Sequence, residues 1–174
     1  MNGRILLWFQ TLRTPELNQI VLLLTNTIWL AAALLLVLLL FCRTRTLGWR
    51  LIAGLALTLI LSTALKHFVQ EPRPFLVVPG LERVGPVPGG TSFPSSHTAA
   101  AFALFWGLLF AKDRWWIAAF LYAVLIALTR LYLGAHYPTD LAGGILVSLL
   151  CCGVTAWVFH RLKQKGTIHD ESHN

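Results

Sequence analysis

The stretch Ile20–Cys42, IVLLLTNTIWLAAALLLVLLLFC, runs without a single charged residue. An apolar run of about 18 or more residues can cross a bilayer core roughly 30 Å thick. Four further apolar stretches follow it: Leu47–Phe68, Ser96–Ala111, Trp115–Leu133, and from Pro138 or Thr139 to Phe159. Over 174 residues the chain is 56% hydrophobic and only 12% charged, and its mean hydropathy is +0.68. A soluble domain of this length needs far more charge on its surface. The fold class read from this pattern is all-α: a polytopic membrane helical bundle of about five transmembrane helices forming one domain. Residues 20–160 form its core, with an outer loop over 69–94 and a polar tail over 161–174.

Residues 1–19 are too short for a further span. Ile5, Leu6, Trp8, Phe9 and Leu12 alternate with Arg4, Gln10 and Arg13, the composition of an amphipathic helix lying in the membrane interface. The small-residue cleavage site of a signal peptide is missing, and the apolar run that follows is too long for one. The net charge is +7, but the basic residues fall between apolar runs, as topology determinants and contacts to anionic lipid headgroups. No basic arm or aromatic-interleaved patch points to nucleic acid. Arg43, Arg45 and Arg50, then Lys112 and Arg114, then Arg161, Lys163 and Lys165 share one side if the five helices alternate. The positive-inside rule makes that side, and the tail ending HDESHN, cytoplasmic. Trp8, Trp115, Trp116 and Tyr137 read as interfacial aromatics, and Cys42, Cys151 and Cys152 as small buried apolar residues rather than a disulfide or zinc set.

The opposite, outer side collects the unusual residues. The second span ends ALKHFVQEPRPF, with Lys66 and Arg73; the third begins SFPSSHT, with Ser95, Ser96 and His97; the fourth and fifth meet in TRLYLGAHYPTDLAGG, with Arg130, His136 and Asp140. Gly134 can close the fourth helix and Pro138 can open the fifth, which puts His136 in a tight turn and lets Asp140 fold back towards it. A carboxylate on one imidazole nitrogen fixes the tautomer and leaves the other nitrogen as a nucleophile. Arg130 suits phosphate oxygens. The helix start near Ser95 favours an anion, with Ser95 and Ser96 as hydroxyl donors and His97 as the acid for a leaving oxygen. Two histidines, three cations and one carboxylate fit in-line phosphoryl transfer without a metal; metal binding is the weaker alternative, because the three cations would repel a divalent ion, and no cofactor is expected. His67, Glu71 and Arg83 read as solvated or substrate-rim residues.

Taken singly, each group has an ordinary reading: Lys66 or Arg73 as an interfacial anchor, Ser95 as a helix cap, His136 as a capping histidine, Asp140 as an acid at a helix N-terminus. Six such groups on one membrane face are not explained one at a time.

These residues resemble the type 2 phosphatidic acid phosphatase family. Its three-part signature is matched by Lys66 through Arg73-Pro74 (KHFVQEPRP), by Pro94-Ser95-Ser96-His97, and by Thr129-Arg130, His136 and Asp140 at the family spacing. Ser96 replaces the glycine of the second part and Thr129 the serine of the third. The resemblance implies that His136 attacks phosphorus and forms a phosphohistidine supported by Asp140. It further implies that His97 protonates the leaving group and that Lys66, Arg73, Ser95 and Arg130, with backbone N–H groups near Ser96 and His97, hold the phosphoryl oxygens. Water then releases phosphate without a metal, and vanadate should inhibit.

The implied substrate is a lipid phosphate or pyrophosphate reached from the outer leaflet of a bacterial inner membrane. A five-span member with an outward site is similar to undecaprenyl pyrophosphate phosphatases; phosphatidylglycerol phosphate, phosphatidic acid and lipid A 1-phosphate are the runners-up. A lipid phosphotransferase and a non-hydrolytic lipid-binding protein are the other two classes. Oligomeric state is not legible.

Overall fold

A computed structural model describes residues 2–41 and 45–171. Cys42, Arg43 and His173 lie outside the described residues. Seven helices and no strand occur among those described: α1 (Asn2–Thr11), α2 (Pro15–Phe41), α3 (Arg45–Val69), α4 (Pro74–Val77), α5 (Ser96–Phe110), α6 (Trp116–Tyr132) and α7 (Pro138–Glu171). The four later apolar runs match α3, α5, α6 and α7 closely, because Leu- and Ala-rich segments form helix readily and a bilayer forces every backbone group to pair within its own segment. Proline marks both starts: α2 begins at Pro15, ahead of the apolar run at Ile20, and α7 begins at Pro138, as expected. Helix α7 continues past the apolar stretch that ends at Phe159 as far as Glu171, since Lys, Arg and Gln favour helix almost as well as Leu. The outer loop is not wholly irregular; it carries the single-turn helix α4.

Helix α5 is the centre of the bundle. It packs most extensively on α7 and α6, and α3 packs on both α5 and α7. Its run Ala99, Ala100, Ala101 and Ala103 is buried; small residues let helix backbones approach where no hydrophobic drive exists between helix and lipid. The same device recurs at Gly54, where an added Cβ would stand 3.1 Å from the sulfur of Cys152, and at Gly144, where it would stand 2.8 Å from the Ser95 carbonyl oxygen. Cys151 and Cys152 are buried and free, as their apolar setting suggests.

The two ends of the bundle differ in chemistry. At one end Arg50 donates to the Phe110 carbonyl at 3.4 Å, and Arg50, Phe110, Phe159, His160 and Lys163 line one pocket. The start of α3, the end of α5 and the far part of α7 are therefore neighbours there, with Lys112 and Arg114 just beyond α5. The other end holds the loop over 70–95, the α6–α7 turn and α1. Helix α1 is docked rather than merely floating: Leu6 is fully buried, although Trp8 and Leu12 are exposed.

Candidate active site

The α6–α7 turn is built from its glycine outward. Gly134 takes φ +67°, its N–H donates to the Leu131 carbonyl at 3.0 Å and that of Ala135 donates to the Arg130 carbonyl at 3.1 Å. This is the pattern that closes a helix with a left-handed residue just past its end. It delivers His136 into a buried turn, and Pro138 starts α7 at once. One turn on, the Asp140 carboxylate reaches back, with Oδ2 3.3 Å from His136 Nδ1 and receiving the Tyr137 N–H at 2.8 Å. The hydroxyl of Ser92 donates to the same oxygen and lies 3.5 Å from His136 Nδ1. His136 Nε2, the nitrogen left over, lies 3.4 Å from Arg73 Nη1.

The segment before α5 docks on the start of α7: the Ser95 N–H donates to the Asp140 carbonyl at 3.1 Å. Ser95 caps the helix, its hydroxyl accepting from the Thr98 N–H and, at 3.0 Å, from the Thr98 hydroxyl. The ordinary capping role is thus present in the structure, alongside any role towards a ligand. Ser96 is the first residue of α5 and is half-buried. His97 follows, half-buried, where the charges of Arg130, Arg73 and Lys66 and the His136 ring act on it.

The three cations converge from three segments. Lys66 Nζ donates to the Thr91 and Ser92 carbonyls at 3.1 and 3.3 Å. Arg73 donates to the carbonyls of Gly90, Gly89 and Ala135 at 3.0, 2.9 and 3.2 Å. Both therefore hold the loop over 89–92 against the His136 turn. Arg130 is buried in α6 and donates to the Thr25 hydroxyl at 2.7 Å, while its Nε has no hydrogen-bond partner among the described residues. Thr129 bonds Thr25 at 3.2 Å and the Ile126 carbonyl at 2.6 Å, so the threonine in place of the family serine ties α6 to α2.

Electrostatics outside the helices follow from this crowding. Burial pushes the His136 imidazole down to about 4, with the Asp140 hydrogen bond opposing and the Arg130 and Arg73 charges adding to the shift. Burial and the neighbouring Asp140 carboxylate push Glu71 up. Arg83, left at the rim by sequence, has Nε and Nη1 buried without a partner among the described residues. His67 is exposed and lines a pocket of about 280 Å³ with Lys66, Gln70 and Thr91.

All eight residues singled out from the sequence thus lie on the segments that meet at this end. Sequence reasoning missed Ser92 and Thr25, and left Arg83 at the rim. Thr25 carried a legible signal, as part of the polar island Thr25-Asn26-Thr27 in an otherwise apolar run. Ser92 carried none, since its partner Asp140 is far away in sequence.

Residues 47–164 match the PAP2 superfamily. The chain belongs to that superfamily. Among characterised relatives, the undecaprenyl-diphosphatase of Sulfolobus acidocaldarius is 31% identical over 121 residues, which cover 69% of this chain and 58% of that protein. The lipid A 4'-phosphatase of Bacteroides thetaiotaomicron is 37% identical over 86 residues, 48% of this chain and 36% of that protein. The crystal structure of Aquifex aeolicus LpxE superposes with a TM-score of 0.77 at 28% identity, covering 88% of this chain and 93% of that one. This PAP2 chain is a membrane protein with the fold of that structure, and it spans little more than half, or less, of the length of the two sequence relatives.

Proposed function

We propose that this PAP2 chain hydrolyses a lipid phosphate or pyrophosphate at the outer face of a bacterial inner membrane, through a phosphohistidine on His136 and without a metal. The observation that carries the reading is the His136 ring held at Nδ1 by Asp140 with Nε2 turned to Arg73. In the proposed reaction Nε2 attacks phosphorus in line, the bond from phosphorus to the leaving oxygen breaks, and His97 protonates that oxygen. Asp140 balances the charge that develops on the imidazole. Lys66, Arg73 and Arg130, with Ser95 and the N–H groups at the start of α5 near Ser96, stabilise the equatorial oxygens. Water, deprotonated by His97, then attacks the phosphohistidine, releasing phosphate and restoring Nε2.

The substrate we favour is undecaprenyl pyrophosphate, cleaved to undecaprenyl phosphate and phosphate; the similarity to an undecaprenyl-diphosphatase supports it. Lipid A phosphates are the second reading, supported by the lipid A phosphatase relative; phosphatidylglycerol phosphate and phosphatidic acid remain in the panel. The apolar runs support five spans, and the basic residues at the end opposite the site support an outward site and a cytoplasmic C-terminus. Helices of 15 and 17 residues, α5 and α6, rise about 22 and 25 Å, short of a core roughly 30 Å thick, which supports a site set a little below the headgroup level.

The test is phosphate release by purified protein in detergent with EDTA, with these four lipids offered side by side. The expected result is metal-independent release with one lipid preferred, abolished in His136→Ala. Undiminished release by His136→Ala would overturn the mechanism; transfer of the phosphoryl group to another lipid, or binding without release, would favour the phosphotransferase or the binding protein.

A further inference from the structure

Arg83 is a cation beside the site that the reaction above leaves unused. Its side chain is half-buried, with Nε and Nη1 out of contact with solvent and without a hydrogen-bond partner among the described residues. Guanidinium N–H groups in that condition are rare in folded proteins. The segment that carries Arg83 is fastened on both sides. Arg13 donates to the Glu82 carbonyl at 2.7 Å and to the Tyr132 carbonyl at 2.7 and 3.0 Å. Gln10 donates to the Gly80 carbonyl at 3.0 Å and accepts from the Glu82 N–H at 2.8 Å, and the Val84 N–H donates to the Leu133 carbonyl at 3.3 Å. Gln10 of α1, Arg13 just past it and the end of α6 thus hold in place a cation whose Nε and Nη1 have no hydrogen-bond partner among the described residues.

Its surroundings are of two kinds. On one side, burial and then the charge of Arg73 bring Arg83 down to about 10, and the charge of Arg83 in turn acts on Arg130; Arg83 stays cationic at neutral pH. On the other, the guanidinium lies 5.4 Å from the centre of the Phe75 ring, and the next residues, Leu76 and Val77, expose their apolar side chains. A terminal phosphate carries about −1.5 to −2 charges, already met by Lys66, Arg73 and Arg130. A fourth guanidinium against that cluster raises repulsion unless a second anion lies there. In a lipid diphosphate the inner phosphate lies between the reacting phosphate and the apolar tail.

We propose that Arg83 is a subsite for the inner, non-reacting phosphate of a lipid diphosphate, and so a specificity determinant for diphosphates over monophosphates. The inference rests on the proposed phosphatase reading. When Nε2 of His136 bonds to the terminal phosphorus and the bridging P–O bond breaks, the bridging oxygen leaves on the inner phosphate as a lipid monophosphate. Arg83 there meets the charge of the leaving group.

The test compares a prenyl diphosphate with the monophosphate of the same prenyl chain, so that tail recognition cancels, in wild type, Arg83→Ala and Arg83→Lys. The expected result is a loss of about 10- to 100-fold in kcat/KM for the diphosphate in Arg83→Ala, with the monophosphate within about threefold and Arg83→Lys intermediate. Retained monophosphate turnover also shows that the variant is folded. Equal loss on both substrates, or none on either, overturns the proposal. A second arm needs no turnover: inorganic pyrophosphate should raise the unfolding temperature of wild type more than inorganic phosphate does, and Arg83→Ala should erase that difference. No such difference in wild type also overturns it. Wild type that releases phosphate from no lipid but keeps the pyrophosphate effect counts against the phosphatase reading and leaves the subsite standing.

Discussion

The Asp140 carboxylate gathers three groups at one oxygen: the His136 ring, the Ser92 hydroxyl and the Tyr137 N–H. Removing the hydroxyl loosens the carboxylate without touching a phosphate oxygen. Ser92→Ala should therefore lower kcat by about 10-fold or more while KM stays within about twofold, the signature of a positioning residue; a rise in KM at constant kcat would place Ser92 on the substrate instead. The His136 shift gives a second prediction. Its value in the folded protein, about 4, lies below the ordinary ~6.5, so the ring stays neutral as pH falls from 7 and charges only near pH 4. The stability linked to this depression is fully present above about pH 6.5 and lost as pH falls through 4. Nitrogen-15 histidine spectra in micelles should show His136 neutral at pH 5.5, and a midpoint at 6 or above would contradict the buried geometry. Lys66, Arg73, Arg130, His136 and Asp140 were legible because their spacing is local and chemically demanding. Ser92 was not, because a partner from a distant segment, Asp140, gives it its meaning; Thr25 stood out only as part of a polar island and Arg83 only as a rim residue.

Elements position these residues by close approach. Helix α7 meets the start of α5 at Gly144, where a Cβ would lie 2.8 Å from the Ser95 carbonyl oxygen and 3.1 Å from the Ala99 nitrogen. Gly144→Ala must push apart the two helices that carry His97 and Asp140. We expect it to cost about 1–3 kcal/mol of stability and to lower kcat by about 10-fold or more, measured by thermal unfolding in micelles and by phosphate release. Wild-type behaviour in both would mean that α5 and α7 tolerate the extra atom and do not fix the site. Helix identity and most boundaries were legible in the apolar runs, and the Gly134 and Pro138 punctuation fixed the turn. The docking of α1 was not, because amphipathicity reports an apolar face without saying whether lipid or protein covers it: Leu6 went to protein and Trp8 did not. The extension of α7 to Glu171 was equally hidden, since hydropathy marks where a membrane ends and not where a helix does.

For the whole molecule, charge and chemistry are segregated to opposite ends of one bundle. Arg50, His160 and Lys163 share a pocket at one end, and Lys66, Arg73, Arg83 and Arg130 gather with His136 at the other. The proposed orientation predicts that a cysteine placed at exposed Val87, in a chain without its native cysteines, reacts with an impermeant thiol reagent in intact cells. One placed at Arg114 should react only after lysis, and the reverse pattern would invert the topology. The reading of this assembly as a covalent phosphatase depends most directly on one atom, His136 Nε2. Mass spectrometry of protein quenched at alkaline pH during turnover of a lipid diphosphate should find an acid-labile phosphoryl group on the peptide containing His136, absent from His136→Ala. A phosphoryl group on another residue, or full turnover by His136→Ala, would contradict the account.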